Sequence, residues 1–241
     1  MRVRPRIDAI VIAVPAKDEV HRIGPSIAGL LAAADELHPN VCVTISVAAD
    51  TCIDGTAELL DDLARVCPLI RVVHGRWSSV GAARRAAVTN GLRTQRSARV
   101  SSMKATWIAS TDADSQVPLD WLVSQVSLAE GGYDAIAGTV EIADDADRTE
   151  ALMDLFTRNY ALRECEHDHV HGANMGLRAQ AYLAAGGFPA VRRSEDRLLW
   201  NEVVRRRFRT VSPLGLTVST SGRLSGRVAG GFSHALANSW E

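Results

Sequence analysis

The sequence predicts an α/β fold in which a mostly parallel β-sheet is flanked by helices. The first observation is an alternation, from Ile7 to Asp114, of short apolar runs rich in β-branched residues with segments of helical periodicity. The second is composition, because 46% apolar and 23% charged residues are typical of a folded globular protein. The third is length, because 241 residues suffice for one large core but not for two independent domains of ordinary size.

Four apolar runs in the first half predict buried strands. Each is short, contains β-branched residues and ends near a polar residue or a proline. Three intervening segments repeat apolar residues at helical spacing, and Asp54 is placed as a candidate N-cap of the second. The predicted order is strand Ile7–Val14, helix 22–37, strand Val41–Ala49, helix 54–66, strand 69–74, helix 79–95 and strand 105–111.

The alternation loosens after Pro118. No internal repeat, low-complexity tract or flexible linker separates the two halves, so the second half is predicted to elaborate the first within a single domain, residues 1–241. The patterns predict a helix at 119–130, a strand from Tyr133 to Glu141, a helix at about 148–164, a histidine-rich loop and a helix from about Glu195.

Charge and hydropathy exclude several classes of protein. The formal net charge is −1 and basic residues are spread along the chain, apart from the run 205–207, so no nucleic-acid partner is predicted. No apolar segment reaches the roughly 20 residues that span a bilayer, and no signal-peptide pattern begins the sequence, which predicts a cytoplasmic protein. The four cysteines lack metal-ligand spacing and are predicted to be reduced thiols.

Polar residues follow the predicted strands at one edge of the sheet. Ligands of parallel α/β sheets bind beyond the carboxyl ends of the strands, where Asp50, Asp112 and the turn Pro15–Glu19 are expected to converge. Asp112 and Asp114 are one residue apart, and carboxylates that close repel each other unless a positive group lies between them. A divalent cation would supply that charge. The alternative is that Asp112 ends the strand and Asp114 forms an exposed turn.

Five stretches of the sequence carry a further signal. They are VPAKDE, AADTCIDGT, GAARRAAV, STDADS and the pair GANMGLRAQAYLAAGGFP and SEDRLLWNEV. Read in this order, from Ile7 to Val204, they resemble the GT-A-type nucleotide-sugar glycosyltransferases of glycosyltransferase family 2. The resemblance implies a GT-A-type, Rossmann-like fold with a nucleotide-sugar-binding half, about 1–115, and an acceptor-binding half that carries the catalytic base, about 116–241.

The resemblance also implies a set of residues that hold the nucleotide sugar. A carboxylate can accept hydrogen bonds from a base or ribose, and an arginine near a helix N-terminus can meet phosphate or ribose oxygens. Of the neighbours Arg84 and Arg85, Arg84 matches the family better, and one of the two is expected to be solvated. Glu19 has an alternative interpretation as a first-turn carboxylate favoured by the helix dipole. The implied set is Pro15, Ala16, Glu19, Asp50, Arg84, Asp112 and Asn174.

The triplet Asp112-Ala113-Asp114 looks like the DxD motif of the family. By this resemblance Asp114 ligates a divalent metal, Mn²⁺ or Mg²⁺, that bridges the donor diphosphate, and Asp112 contacts ribose or a metal-bound water. His234 is the candidate for a further metal ligand from the C-terminal region.

Sugar transfer also needs a base that removes the proton of the acceptor hydroxyl. The acidic pair of the family matches Glu195 and Asp196 at a predicted helix start. The resemblance makes Asp196 the candidate base of an enzyme that inverts the anomeric configuration. The alternative is that both acids only favour the helix dipole.

Two further segments carry groups that could bind ligands. His167, His169 and His171 alternate, so an extended segment would place them on one side; a second metal site is one interpretation, and a solvated loop is favoured. The tail that contains Arg223 and Arg227 is interpreted either as a lid over bound diphosphate or as a disordered terminus.

The sequence thus predicts a metal-dependent inverting transfer of one sugar from a nucleoside-diphosphate sugar to a hydroxyl acceptor. The Q/RxxRW signature of processive synthases is not evident, which favours single-sugar transfer. One alternative is a non-catalytic nucleotide-sugar-binding module. Another is a nucleotidyltransferase on a related fold, although that class normally has a glycine-rich loop after the first strand. Peripheral membrane contact and a homo-oligomer are left open.

Overall fold

The computed structural model describes residues 5–77, 79–97, 102–143, 153, 167–191 and 193–221. The predicted helix at about 148–164 falls outside these ranges except for Met153, which is helical. His234 and the tail with Arg223 and Arg227 also lie outside them. None of the helices within the described ranges is long and apolar enough to cross a membrane.

Strands and helices alternate through the first half, and their ends lie within two residues of the predicted ones. Strands β1 to β10 span Ala9–Ala16, Cys42–Asp50, Ile70–Gly75, Thr106–Ser110, Ser115–Gln116, Ala135–Ala137, Thr139–Ile142, Met175–Arg178, Thr210–Val211 and Thr217–Thr220. Helices α1 to α6 span Ile23–Asp35, Thr56–Val66, Val80–Ser97, Trp121–Glu130, Ala179–Ala184 and Glu195–Arg205, and a 3₁₀ turn covers Gly172–Asn174.

The described strands form two sheets. The larger has seven strands in the order β3-β2-β1-β4-β8-β6-β9, and the smaller has the order β5-β10-β7. In the larger sheet β3, β2, β1 and β4 run parallel, while β8 is antiparallel to both of its neighbours. The predicted α/β fold with a mostly parallel sheet is therefore confirmed.

Strand β1 lies in the middle of the core and is buried on both faces. Ile10 and Ile12 pack in one apolar cluster with Ile27 of α1, whereas Val11 packs in a second cluster with Val88 of α3. A strand covered by helices on both sides needs an uninterrupted apolar sequence rather than an alternating one. This requirement explains why β1 reads as a continuous apolar run.

The strand predicted from Tyr133 to Glu141 is wrong in one respect, because it is two strands that belong to different sheets. Strand β6 pairs in the large sheet, strand β7 pairs in the small one, and Gly138 separates them. A Cβ on Gly138 would lie 2.6 Å from Cγ of Asn174, so only glycine allows this close approach. Hydropathy does not distinguish one buried strand from two consecutive ones, so the sequence did not predict the break.

Gly91 lets α3 approach the sheet closely, and Gly91→Ala is expected to destabilise the fold. A Cβ there would lie 3.3 Å from Cβ of Ser46 and closer still to Cγ1 of Val11, whose short branched side chain cannot move away. Overpacking costs about 1–3 kcal/mol, more than the roughly 1 kcal/mol that alanine gains over glycine in a helix. Urea unfolding measures the difference.

Gly24 provides the matched control for this substitution. It also lies in a helix, but no atom comes within 4 Å of a Cβ built on it. Gly24→Ala should therefore leave the free energy of unfolding unchanged or raise it. An equal effect of the two substitutions would contradict the proposed packing of α3 on β1.

Candidate functional site

The ends of β1, β2 and β4 create the candidate site. Because β1 pairs in parallel with both β2 and β4, their carboxyl ends lie at the same edge of the sheet. Ala16 ends β1, Asp50 ends β2, and Asp112 follows the end of β4 by two residues. The predicted convergence of these strand ends is confirmed by the strand order.

Two carboxylates tie the turn after β1 to the turn after β2. Oδ1 of Asp18 accepts a hydrogen bond from the Ile53 amide at 2.7 Å, and Oδ2 of Asp54 accepts one from the Val20 amide at 3.1 Å. Thr56 Oγ1 in turn accepts the Glu19 amide at 2.7 Å. Glu19 is 9% exposed and precedes α1, whose first turn contains no acidic residue, so it is a buried residue of this turn rather than a first-turn carboxylate.

Asp50 is held in place by its neighbours. Its Oδ1 accepts hydrogen bonds from the Thr51 hydroxyl at 3.0 Å and from the Trp77 amide at 2.9 Å. Pro15 and Ala16 lie beside it in the last register positions of β1 and β2. Pro15, Ala16 and Asp50 therefore lie close together in space, with Glu19 in the turn that follows β1, and contact of these residues with a nucleoside stays a prediction.

Arg84 of α3 joins two acidic residues that are distant in sequence. Its Nη2 donates a hydrogen bond to Oδ1 of Asp112 at 2.5 Å, and its Nη1 donates to Oε1 of Glu195. Burial alone would lower the pKa of this guanidinium, but the two carboxylates raise it above its ordinary value, so Arg84 stays charged. Arg84 is 2% exposed whereas Arg85 is exposed, in agreement with the expectation that one of the pair is solvated.

The acidic pair opens helix α6. Burial raises the pKa of the Glu195 carboxyl, and the charge of Arg84 opposes this. Asp196 is half-buried; its Oδ2 accepts the Gly172 amide at 2.9 Å and its Oδ1 accepts the Arg197 amide at 2.7 Å. The Asp196 carboxylate is therefore held in a defined orientation, which a general base requires.

The turn that contains Asp112 and Asp114 is anchored on both sides. Asp112 is one-third exposed, and its carbonyl accepts the Ser115 amide at 3.2 Å. Ser115 begins β5, and its hydroxyl donates to Oγ1 of Thr220 in β10 at 3.0 Å. The small sheet therefore fixes the turn that would carry a metal.

Within the described residues, no three histidine, cysteine or acidic side chains are arranged to hold a metal ion. Asp112 and Asp114 supply carboxylate oxygens, which are the ligands that Mg²⁺ and Mn²⁺ prefer. Arg84 offers one positive charge against the carboxylates of Asp112, Glu195 and Asp196, which all act on it. The excess of negative charge fits a divalent cation, with further ligands to come from substrate and water.

Asn174 has a structural role in addition to the one that the resemblance implies. It is fully buried, and its Nδ2 donates to the carbonyls of Thr139 at 2.7 Å and Leu216 at 2.8 Å. Its Oδ1 accepts the Trp121 indole N–H at 2.9 Å. The side chain thus connects β7 to the segment before β10, and its contact with a nucleotide sugar stays a prediction.

The three alternating histidines do lie on one side of their segment. The ring centroids of His167 and His169, and those of His169 and His171, are 6.0 Å apart in stacked pairs. The preference for a solvated loop is wrong for His167, which is 3% exposed. His169 and His171 are partly buried, so the segment packs against the protein while Asp168 faces solvent.

Acid is expected to destabilise the fold through these histidines. Burial lowers the pKa of His171 to about 3, assisted by the neighbouring histidines, and burial also lowers the pKa of His167. The unfolded chain binds these protons below about pH 6.5, whereas the folded chain does not. The free energy of unfolding should therefore fall as pH drops from about 6.5 towards 3, by up to about 1.4 kcal/mol per pH unit for each histidine.

Urea unfolding of the His171→Gln variant across this pH range measures the effect. The variant should show a flatter dependence of stability on pH than the wild type. His38 is exposed, so His38→Gln is the matched control and should retain the wild-type slope. Parallel profiles for all three proteins would contradict the assignment.

Sequence reasoning missed several contacts around Arg84. The ring of Phe188 lies 5.2 Å from the guanidinium carbon, and Gly172 packs so closely that a Cβ there would lie 2.5 Å from that carbon. Ser110 Oγ donates to the Gly172 carbonyl at 2.7 Å. Gly172 and Phe188 belong to the GAN and GGFP stretches. The sequence therefore identified these two segments but did not predict their contact with Arg84.

Comparisons with known proteins find a family match for this sequence and solved structures with a similar fold. The family profile described as "Glycosyl transferase family 2" matches residues 11–184, well over half of the chain. No match among curated proteins is found. The fold is similar to that of the mannosyltransferase PcManGT from Pyrobaculum calidifontis, solved in complex with GDP-Man and Mn²⁺, with a TM-score of 0.64 at 18% identity over 92% of this chain and 58% of that one.

A second similar structure is S. aureus TarS 1–349, with a TM-score of 0.62 at 12% identity over 89% of this chain and 60% of that one. The chain thus spans about three fifths of the length of each of these solved proteins. At such identities the likeness shows the fold, and the profile match shows the family. Taken together with the strand order and the acidic turn after β4, this match establishes that the chain belongs to glycosyltransferase family 2.

Proposed function

We propose that this chain is a metal-dependent, inverting glycosyltransferase that moves one sugar from a nucleoside-diphosphate sugar to a hydroxyl acceptor. The observation that carries the proposal is the meeting of the Asp112 turn and the Glu195-Asp196 pair at Arg84. It brings a candidate donor site and a candidate base to the same end of the sheet. A purely structural use of these acids would not require them to come together at the strand ends where α/β sheets bind ligands.

The donor nucleoside is proposed to bind at the ends of β1 and β2. The turns there are held by Asp18, Asp54 and Thr56, and the Asp50 carboxylate is fixed by the Trp77 amide. Fixed hydrogen-bond acceptors select a ligand without a large ordering cost. PcManGT, which shares the fold, was solved in complex with GDP-Man, and this supports a nucleotide sugar as the donor class here.

Asp112 and Asp114 are proposed to hold Mn²⁺ or Mg²⁺. The excess of carboxylates over guanidinium in this cluster supports a divalent cation at the site. When bound, such an ion stabilises the negative charge that develops on the leaving nucleoside diphosphate. His234 remains a proposed additional ligand from outside the described residues.

Asp196 is proposed to accept the proton of the attacking hydroxyl. Two backbone amides hold its carboxylate, so its free lone pairs can be directed at an acceptor. The acceptor oxygen bonds to the anomeric carbon as the bond to the diphosphate oxygen breaks, and the proton passes to Asp196. Attack from the face opposite the leaving group inverts the anomeric configuration.

A donor screen tests the proposal. The protein is incubated with a panel of nucleoside-diphosphate sugars, with Mn²⁺ or with a chelator, and release of nucleoside diphosphate is measured with and without acceptor mixtures. The expected result is metal-dependent release of nucleoside diphosphate with one of the donors. The product glycoside, analysed by NMR, should have the anomeric configuration opposite to that of the donor sugar. Binding without turnover would instead favour a non-catalytic module, and pyrophosphate release from a nucleoside triphosphate and a sugar phosphate would favour a nucleotidyltransferase.

A further inference from the structure

Arg84 lies at the centre of the candidate site, between Asp112 and Glu195. Its guanidinium is almost completely buried and both terminal nitrogens are paired with carboxylates. We infer that Arg84 is a positioning residue that fixes the donor-side Asp112 relative to the acceptor-side base Asp196, acting through Glu195 and Gly172 rather than touching the donor. This inference rests on the proposed function for the roles of Asp112 and Asp196.

The guanidinium of Arg84 holds two carboxylates at a fixed separation. A planar guanidinium presents its nitrogens in a rigid fork, so groups bound to its two arms cannot shift independently. Here one arm of the fork binds Asp112, beyond the end of β4, and the other binds Glu195, at the start of α6. Arg84 therefore connects two elements that the chain itself joins only through a long intervening segment.

The same guanidinium cannot move freely. Its carbon lies over the Phe188 ring at 5.2 Å, and the backbone of Gly172 closely approaches the same group. On the helix side, a Cβ on Gly81 would lie 2.9 Å from Cβ of Glu195, so α3 and α6 are in close contact there. A group packed this tightly transmits a displacement to its neighbours.

Two routes link Arg84 to the candidate base. Glu195 directly precedes Asp196 in the first turn of α6. Gly172, which packs against the guanidinium, donates its amide hydrogen to Oδ2 of Asp196 and accepts a hydrogen bond from Ser110 of β4. Loss of the Arg84 guanidinium would therefore displace the Asp196 carboxylate in two ways. It would shift the first turn of α6, and it would shift the Gly172 amide that donates to Asp196.

This role differs from direct contact with donor phosphate or ribose. A phosphate-binding arginine must present accessible donors to the ligand, but here each terminal nitrogen binds a protein carboxylate and the side chain is only 2% exposed. A positioning residue should mainly affect turnover, because a small misplacement of a reacting group can cost about 10²-fold in rate. A donor ligand should mainly affect donor affinity.

The experiment compares Arg84→Lys and Arg84→Met with Arg93→Met. Arg93 is an exposed residue of the same helix and is the matched control. Lysine keeps the positive charge but cannot bind both carboxylates at once. Arg84→Lys is therefore expected to fold even if Arg84→Met does not. We expect Arg84→Lys to lower kcat by about 10²-fold and to weaken donor binding by a smaller factor, because Asp112 loses part of its anchor but keeps its charge.

A second readout separates this inference from the proposed function. Amide hydrogen exchange of Gly172 and of the first turn of α6 should accelerate in Arg84→Lys and stay unchanged in Arg93→Met, even if no donor is ever turned over. If the wild type shows no turnover but exchange is accelerated in Arg84→Lys, the proposed function is rejected, whereas the inferred role of Arg84 in positioning Asp112 and Asp196 is supported. Unchanged exchange, or a large loss of donor affinity with unchanged kcat, would overturn the inference.

Discussion

Asp196→Asn is expected to lower kcat for sugar transfer by about 10²–10⁴-fold, the usual contribution of a general base. The amide has nearly the same shape as the carboxylate but cannot accept the proton of an acceptor hydroxyl. Its remaining carbonyl oxygen can still accept one of the two backbone hydrogen bonds, from Gly172 or Arg197, that hold the wild-type side chain. The fold and the donor affinity should therefore be largely retained.

Steady-state kinetics with saturating donor, together with a direct binding measurement, tests this result. Asp35→Asn changes an exposed aspartate at the end of α1 and should leave kcat unchanged. If Asp196→Asn keeps nearly wild-type turnover, Asp196 is not the base, and the acidic pair serves only the N-terminus of α6. A parallel fall in donor affinity would assign Asp196 to the donor site instead.

Asp114→Ala is expected to abolish metal-dependent binding of the donor. A ligand present at about 100 times its dissociation constant stabilises the folded state by about 2.7 kcal/mol, which corresponds to a rise in Tm of roughly 5–10 °C for a domain of this size. The variant should lose this rise, because one carboxylate ligand of the proposed metal is gone. Its Tm without ligand should change little, since Asp114 is only half-buried.

Thermal unfolding with each nucleoside-diphosphate sugar, with and without Mn²⁺, provides the measurement. Glu36→Ala removes an exposed carboxylate just after α1 and is the control that should keep the full donor-dependent rise. A wild-type protein that responds equally with and without metal would contradict the metal assignment. If Asp114→Ala retains the metal-dependent rise, the two aspartates form an ordinary turn.

The first half of the fold could be predicted from sequence because it is governed by local patterns. The continuous apolar run of β1 and the helical periodicity of α3 each reflect the environment in which they are buried. Prediction failed where the pairing of strands is non-local. The two-residue strands Ser115–Gln116 and Thr210–Val211 have no pattern of their own and exist because distant segments pair with them.

The candidate site shows the same division. The sequence identified Asp112, Asp114, Glu195 and Asp196 as chemical groups, through their placement after apolar runs and their resemblance to family motifs. It also singled out Arg84, for which the resemblance implied contact with phosphate or ribose. Burial of its guanidinium between Phe188 and Gly172 became visible only in three dimensions.

By itself the sequence determined the order of strands and helices in the first half, the polar ends of those strands and the family. The tertiary structure alone decided which of the acids meet, because Arg84, Asp112 and Glu195 lie on three elements far apart in the chain. It also decided that the strand predicted at Tyr133–Glu141 divides at Gly138 between two sheets. The physical reason is that periodicity records whether a residue is buried, whereas only packing determines which distant groups share that burial.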